Sequence, residues 1–238
     1  MLRAPSRSHH RRSDEAEKPF WISFADLMTA LMVLFLVVMS VALLSVTKTI
    51  TEQEAAQSQH DDDVSTILKR FQDAAAGFPG IKIDAGRRVI DFGERAQFPL
   101  NQSFLSQDQE RSLRAFVPEI LRLANDDLGR RVLKRIVVEG FTDKTGDYLF
   151  NLNLSLARSQ RVLCAMFPSR LEDRLTEDQQ EQVRALFLVG GYSFNAAKET
   201  AAESRRVEMR LEFLGVGEPR RETAESTPVN TGTCALPQ

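Results

Sequence analysis

Between Phe20 and Val46, in PFWISFADLMTALMVLFLVVMSVALLSV, the chain carries one ionisable side chain, the carboxylate of Asp26. A charged group at the centre of a membrane helix costs about 2.5–3.5 kcal/mol on insertion scales, so it is kept where it does something. A carboxyl there can pass between protonated and ionised forms. An ion or proton relay needs that exchange, and a static interhelical hydrogen bond also tolerates it. Asp26 lies six residues past Phe20, roughly 9 Å along a helix. Thr29, Val33, Val37 and Ser40 follow on about the same face with small or β-branched side chains, which suit close packing against another helix. The other faces carry Leu, Met and Phe, which suit lipid. One helix cannot form a pore, so a relay at Asp26 with Thr29, Val33 and Ser40 as its channel face needs partner helices.

A second group of reactive types lies in VEGFTDKTGDYLFNLNLSLARSQRV, Val138 to Val162. A strand should end at Phe141, Thr142, Asp143 and Gly146 should form a turn, and a helix should follow. Asn151, Leu154, Ser155 and Arg158 step along that helix at i, i+3, i+4 and i+7. An acid on the turn and an arginine on the helix suit a ligand with one ammonium and one carboxylate. They equally suit an internal Asp–Arg ion pair. The sequence shows no nucleophile–base constellation, so the exported part should bind rather than cut. His9 and His10 have no cysteine or acidic cluster around them, and neither a metal nor a cofactor is expected.

The elements that must hold these groups follow from periodicity and punctuation. Phe20–Val46 as a helix is about 40 Å long, enough for a hydrocarbon core of about 30 Å. It exceeds a signal-peptide core and lacks a small-residue cleavage site. Arg3, Arg7, Arg11, Arg12 and Lys18 precede it and only Lys48 follows closely. The N-terminus should therefore be cytoplasmic and the rest exported, to the periplasm if the cell is Gram-negative. Cys164 and Cys234 then share a compartment where disulfides persist, which favours a bridge over two free thiols. A formal net charge of -2 argues against nucleic acid as a partner.

Residues 1–18 read as a polar cytoplasmic tail and 19–46 as the membrane helix. Residues 47–80 read as a linker or helix continuation in which Val64, Ile67, Leu68 and Phe71 mark a short amphipathic helix. That stretch could block ion flow as a plug or pack on the folded domain. Residues 81–214 read as one mixed domain: strands IKID and RRVIDF, a helix opened by a Ser106/Gln109 capping box and containing Pro118, strand RIVVEGF, a helix over 147–167, and strands RALFLVGGY and RRVEMRLEF. Residues 215–238 read as a polar tail. The fold class is α+β, with a single N-terminal transmembrane helix before an α/β sandwich domain.

Two resemblances follow from these motifs. PFWISFADLMTALMVLFLVVM resembles the N-terminal helix of MotB-type stator subunits. That likeness implies a homodimer in a ring of five MotA-type or ZorA-type membrane subunits, with Asp26 carrying H+ or Na+. The stretch Val138–Val162 resembles the OmpA-like peptidoglycan-binding motif at Gly140, Thr142, Asp143, Gly146, Phe150, Asn151, Leu154, Ser155, Arg158 and Val162. It departs at Ser159, where alanine is usual, and Ser204 replaces a frequent asparagine in ESRRVE. The likeness implies that Asp143 binds the ammonium, and Arg158 the carboxylate, of meso-diaminopimelate in the wall stem peptide. Thr142, Phe150, Asn151 and Leu154 would shape the pocket. Together the motifs imply a non-enzymatic, inner-membrane stator subunit. A stator of the Zorya anti-phage system is favoured over a flagellar one, and a TolR- or ExbD-type energiser is weakest because those lack the wall motif. A passive wall-tethering anchor remains the alternative of a different class.

Overall fold

The computed structural model describes residues 14–167, 175–220 and 234. The expected tail up to residue 13, with His9 and His10, lies outside the described residues, as does most of the expected C-terminal tail. The chain divides into two units, Met1–Ala56 and Gln57–Gln238.

The first element is one long helix, α1 (Asp14–Ala75). From Phe20 to Ala75 the sequence has neither glycine nor proline, and Gly77 and Pro79 follow its end. Of the two readings of the stretch after residue 46, linker or helix continuation, the structure has the continuation, and the amphipathic turns Val64–Phe71 lie at its end. Within the first unit its side chains from Trp21 onward are exposed, and the segment is long and apolar enough to cross a membrane. Thr29 and Ser40 donate their hydroxyl protons back to the carbonyls of Ala25 (2.8 Å) and Leu36 (2.7 Å). Such back-bonding satisfies hydroxyl groups without partners from outside the helix.

The second unit is a five-stranded sheet with helices on one face. Its strands are β1 (Lys82–Asp84), β2 (Val89–Asp91), β3 (Leu133–Gly140), β4 (Phe187–Gly191) and β5 (Val207–Phe213), in the order β1-β2-β5-β3-β4. Only the β3–β4 pair is parallel. Its crossover contains α4 (Tyr148–Ala165) and α5 (Glu177–Leu186). A parallel pair requires such a crossover, because a tight hairpin cannot return the chain in the same direction. The remaining helices are α2 (Gln107–Asn125), α3 (Asp127–Val132) and α6 (Ala201–Ser204). The Ser106/Gln109 capping box is fully formed, and α2 continues unbroken through Pro118.

The core joins Phe116 and Ile120 of α2 to Ile136 and Val138 of β3, Val162 of α4 and Met209 of β5. Val64, Ile67, Leu68, Phe71 and Ala75 belong to the same core. The last turns of α1 are thus part of the domain, which begins earlier than residue 81. Two ion pairs join the same stretch to α3 and its cap, Arg70 with Asp126 (2.8 Å) and Arg131 with Asp63 (3.0 Å). Cys164, in the last turn of α4, is joined to Cys234 with their Cα atoms 5.8 Å apart.

One close approach fixes α4 on the sheet. A Cβ added to Gly140 would stand 1.9 Å from the Ser155 carbonyl oxygen. Only a glycine lets β3 and α4 meet at that distance. Gly140→Ala should therefore destabilise the domain by about 1–3 kcal/mol through overpacking, read as a lower urea midpoint. An unchanged midpoint would show that α4 is not seated by this contact.

Candidate functional site

The site forms where β3 runs out. Past Gly140, Phe141 N–H donates to the Arg206 carbonyl (2.9 Å) and Thr142 N–H to the Ser193 carbonyl (2.9 Å). These bonds hold Phe141 to Asp143 between the start of β5 and the loop after β4. Gly146, at φ +94°, lets the chain turn back, and Asp147 caps α4 by accepting the Phe150 amide (2.8 Å). Asn151 Nδ2 donates to the carbonyls of Thr145 (2.9 Å) and Asp147 (3.0 Å), fastening the turn to the helix. Ser155 Oγ accepts the Ser193 amide (3.0 Å).

Asp143 is 6% exposed. Its Oδ1 accepts the Thr145 amide (2.9 Å) and its Oδ2 accepts Nη1 of Arg205 (2.8 Å). Burial pushes this carboxyl up, but the hydrogen bonds from Arg205 and Thr145 outweigh it and hold the group below its ordinary value. Beside it, Thr142 is buried and its Oγ1 has no hydrogen-bond partner among the described residues. A buried hydroxyl left unpaired costs about 1–3 kcal/mol, so it is a group a ligand can satisfy.

Arg158 forms no ion pair with Asp143, so the internal Asp–Arg pair, one of the two readings of that couple, is not the one the structure has. Arg158 is 0% exposed. Its Nε donates to the Gln102 carbonyl (2.9 Å), Nη1 to Phe141 (2.8 Å) and Nη2 to Pro99 (3.2 Å), and its guanidinium lies 5.1 Å from the Phe98 ring centre. Burial, helped by the nearby Arg205 charge, pushes its pKa down to about 10. The spacing from Asp143 correctly put Arg158 on the inner face of α4. It could not show that three loop carbonyls would engage the fork first.

The cation that reaches Asp143 is Arg205, 62 residues away in sequence. Sequence reasoning took it only as part of the closing strand. The signal available was the pair Arg205-Arg206 just before a strand that lies beside β3. Arg206 takes a different role: its guanidinium sits 4.3 Å from the Phe141 ring centre and its Nε donates to Glu208 (2.7 Å). Of the other expected pocket residues, Asn151 is buried, Leu154 half-buried one turn further along α4, and Phe150 exposed at the turn. Asp26, Thr29, Val33 and Ser40 lie exposed on α1 in the first unit. No group of three or more potential metal ligands occurs among the described residues.

Residues 5–58 match a family described as membrane MotB of the proton-channel complex MotA/MotB. The Zorya protein ZorB of Escherichia coli O139:H28 is 46% identical over 232 residues, which cover 95% of this chain and 94% of that protein. Among solved structures, the periplasmic domain of Helicobacter pylori MotB is 17% identical with a TM-score of 0.37, over 52% of this chain and 74% of that one. The OmpA-like domain of FopA1 from Francisella tularensis is 16% identical with a TM-score of 0.34, over 53% and 75%.

Two predictions follow from the buried charges. Arg158→Ala removes the donor of three loop carbonyls and should cost about 3 kcal/mol or more in denaturant unfolding; a cost under about 1 kcal/mol would show that the clamp does not hold the site. Asp143 has a folded pKa below its unfolded value near 4, so its contribution is complete above that pH and is lost as pH falls through the folded value. Asp143→Asn should flatten the fall of the thermal midpoint in that acid window, and a profile parallel to wild type would contradict the ion pair.

Proposed function

The chain belongs to the family of the Zorya protein ZorB, and on that premise we propose that it is the wall-anchored stator subunit of an ion-driven motor in anti-phage defence. The observation that carries the reading is Asp26, the only charge on an exposed apolar helix between Phe20 and Val46, with Thr29, Val33 and Ser40 at helical spacing along it. A lone carboxylate facing lipid is expensive, and packing against MotA-like or ZorA-like membrane subunits removes that cost. Two copies of the chain supply two such faces, so the subunit works as a homodimer within a ring of partners.

Asp26 accepts and releases H+ or Na+ as it passes between the two sides of the inner membrane. Each elementary charge falling through 100 mV releases about 2.3 kcal/mol, enough for repeated steps of a rotary device. The exported unit keeps the subunit from turning with its partner by binding peptidoglycan. Its site suits the free end of a diaminopimelate stem peptide: Asp143 faces the ammonium, the unpartnered Thr142 hydroxyl offers a further hydrogen bond, and Asn151, Leu154 and Phe150 frame the turn. The helix Trp21–Ala75 and the basic residues before it support a single-pass protein with a cytoplasmic N-terminus and a periplasmic domain. The Cys164–Cys234 bridge suits that compartment. The chain does no covalent chemistry and needs no cofactor.

Asp26→Asn keeps size and polarity but cannot lose a proton. Expressed from the native operon, it should raise phage plaquing to the level of a strain lacking the system, with the protein still in the membrane and swimming unchanged. Lost swimming would move the chain to a flagellar stator. Wild-type protection would make Asp26 structural and leave a passive wall anchor.

A further inference from the structure

The core residues of the second unit all lie at or before Phe213, so the run after β5 is added to a core already complete. Leu214 N–H donates to the Val132 carbonyl (2.8 Å), and Lys134 pairs with Glu218 (2.5 Å). Half-buried Arg220 donates from Nη1 to the Ala124 carbonyl (2.7 Å) in the last turn of α2. Cys234 is then joined to Cys164 in the last turn of α4. That turn carries no basic residue to answer its own carbonyls, and Arg114 reaches it from α2 with a bond of 3.3 Å to the Ala165 carbonyl. The chain after β5 thus fastens two helix ends, α2 by a guanidinium and α4 by a covalent bond.

We propose that the Cys164–Cys234 bridge is a clasp closed last, on a domain already folded, by exchange with a thiol–disulfide oxidase of the exported compartment, and that it fastens the far end of α4. This rests on the exported placement of the second unit proposed above. Cys234 follows every element of that unit, so its thiol arrives after the strands and helices have crossed. Cys234 is exposed and Cys164 half-buried, so Cys234 is the sulfur an oxidase meets first. The Cys234 thiolate attacks the oxidase disulfide, and one oxidase thiolate leaves to give a mixed disulfide. The Cys164 thiolate then attacks the Cys234 sulfur, and the second oxidase thiolate leaves. Two electrons pass from the two cysteines to the oxidase, and each cysteine gives up one proton. The chain has 2 cysteines, so one intramolecular pairing exists and an isomerase has nothing to correct. Asn151, Ser155 and Arg158 hold the turn, the loop after β4 and the end of β3 from earlier turns of α4. The clasp secures, at its far end, the helix on which those bonds depend.

The test counts free thiols of the full chain by maleimide labelling after acid quenching, in cells grown without small-molecule oxidants. One strain has the exported oxidase and isomerase, one lacks the oxidase and one lacks the isomerase. The first and third should show no free thiol, and the second should show both cysteines free. A bridge that forms fully without the oxidase, or fails without the isomerase, would overturn the proposal and leave the exported placement standing. Free thiols in the first strain would overturn that placement, and the clasp with it. An oxidase whose second active-site cysteine is replaced by serine should be captured by Cys164→Ser and not by Cys234→Ser; the reverse would contradict the order of attack. In the purified full chain in detergent, reduction should lower the thermal midpoint by about 5–15 °C and keep the transition cooperative. It should also speed hydrogen exchange in the last turn of α4 before that of β3. An unmoved midpoint would show that the bridge fastens nothing, and a lost transition would show that the fold needs the bridge first; either result overturns the clasp.

Discussion

The second unit depends on a guanidinium that no solvent reaches. Arg158 projects from α4 into a ring of carbonyls from Pro99, Gln102 and Phe141, with the Phe98 ring against its face. A buried charge is costly unless it is hydrogen-bonded, and these carbonyls supply the three bonds Arg158 makes, so their segments are tied to α4 as long as the cation stays inside. That tie holds Phe98, and the Phe98 carbonyl in turn holds Arg205. Arg205 then fixes Asp143. The chain of contacts begins at the seam where α4 lies on Gly140, so the strand, helix and loop that form the site share one support.

The two units meet different physical demands. In the first, the constraint between Phe20 and Val46 is scarcity: hydroxyls of Thr29 and Ser40 are answered within the helix, and Asp26 is the one charged group of that run. In the second, charge is abundant and answered. On the sheet face away from the core, Glu139 and Glu208 are fully buried, Glu139 under two bonds from Arg210 and Glu208 beneath Arg206, Arg87 and Lys198. Burial pushes Glu208 up, yet hydrogen bonds from Arg206 and Arg87 hold it below its ordinary value.

Much of this was legible from residue order because it is local. The body of the long helix follows from Phe20–Ala75, a run without glycine or proline, α2 from its capping box, β3 from its apolar run and β5 from alternation. The helix α5 was missed although Thr176 and Gln179 spell a capping box just as Ser106 and Gln109 do. What local patterns cannot give is pairing across the fold. Alternation in β5 marks Glu208 as polar, but cannot show that Arg87, Arg206 and Lys198 cover it. The same limit misassigned the partner of Asp143. Arg158 lies 15 positions on and at the right helical phase, whereas Arg205 is remote in sequence and arrives only when β5 pairs with β3. Residues near in sequence suggest themselves as partners, while the sheet order decides which are near in space.

The most direct measurement is an experimental structure of the full chain bound to a muropeptide that carries diaminopimelate. The account predicts the ligand at the end of β3, with its ammonium on Asp143. A ligand seated on another face of the domain would contradict it.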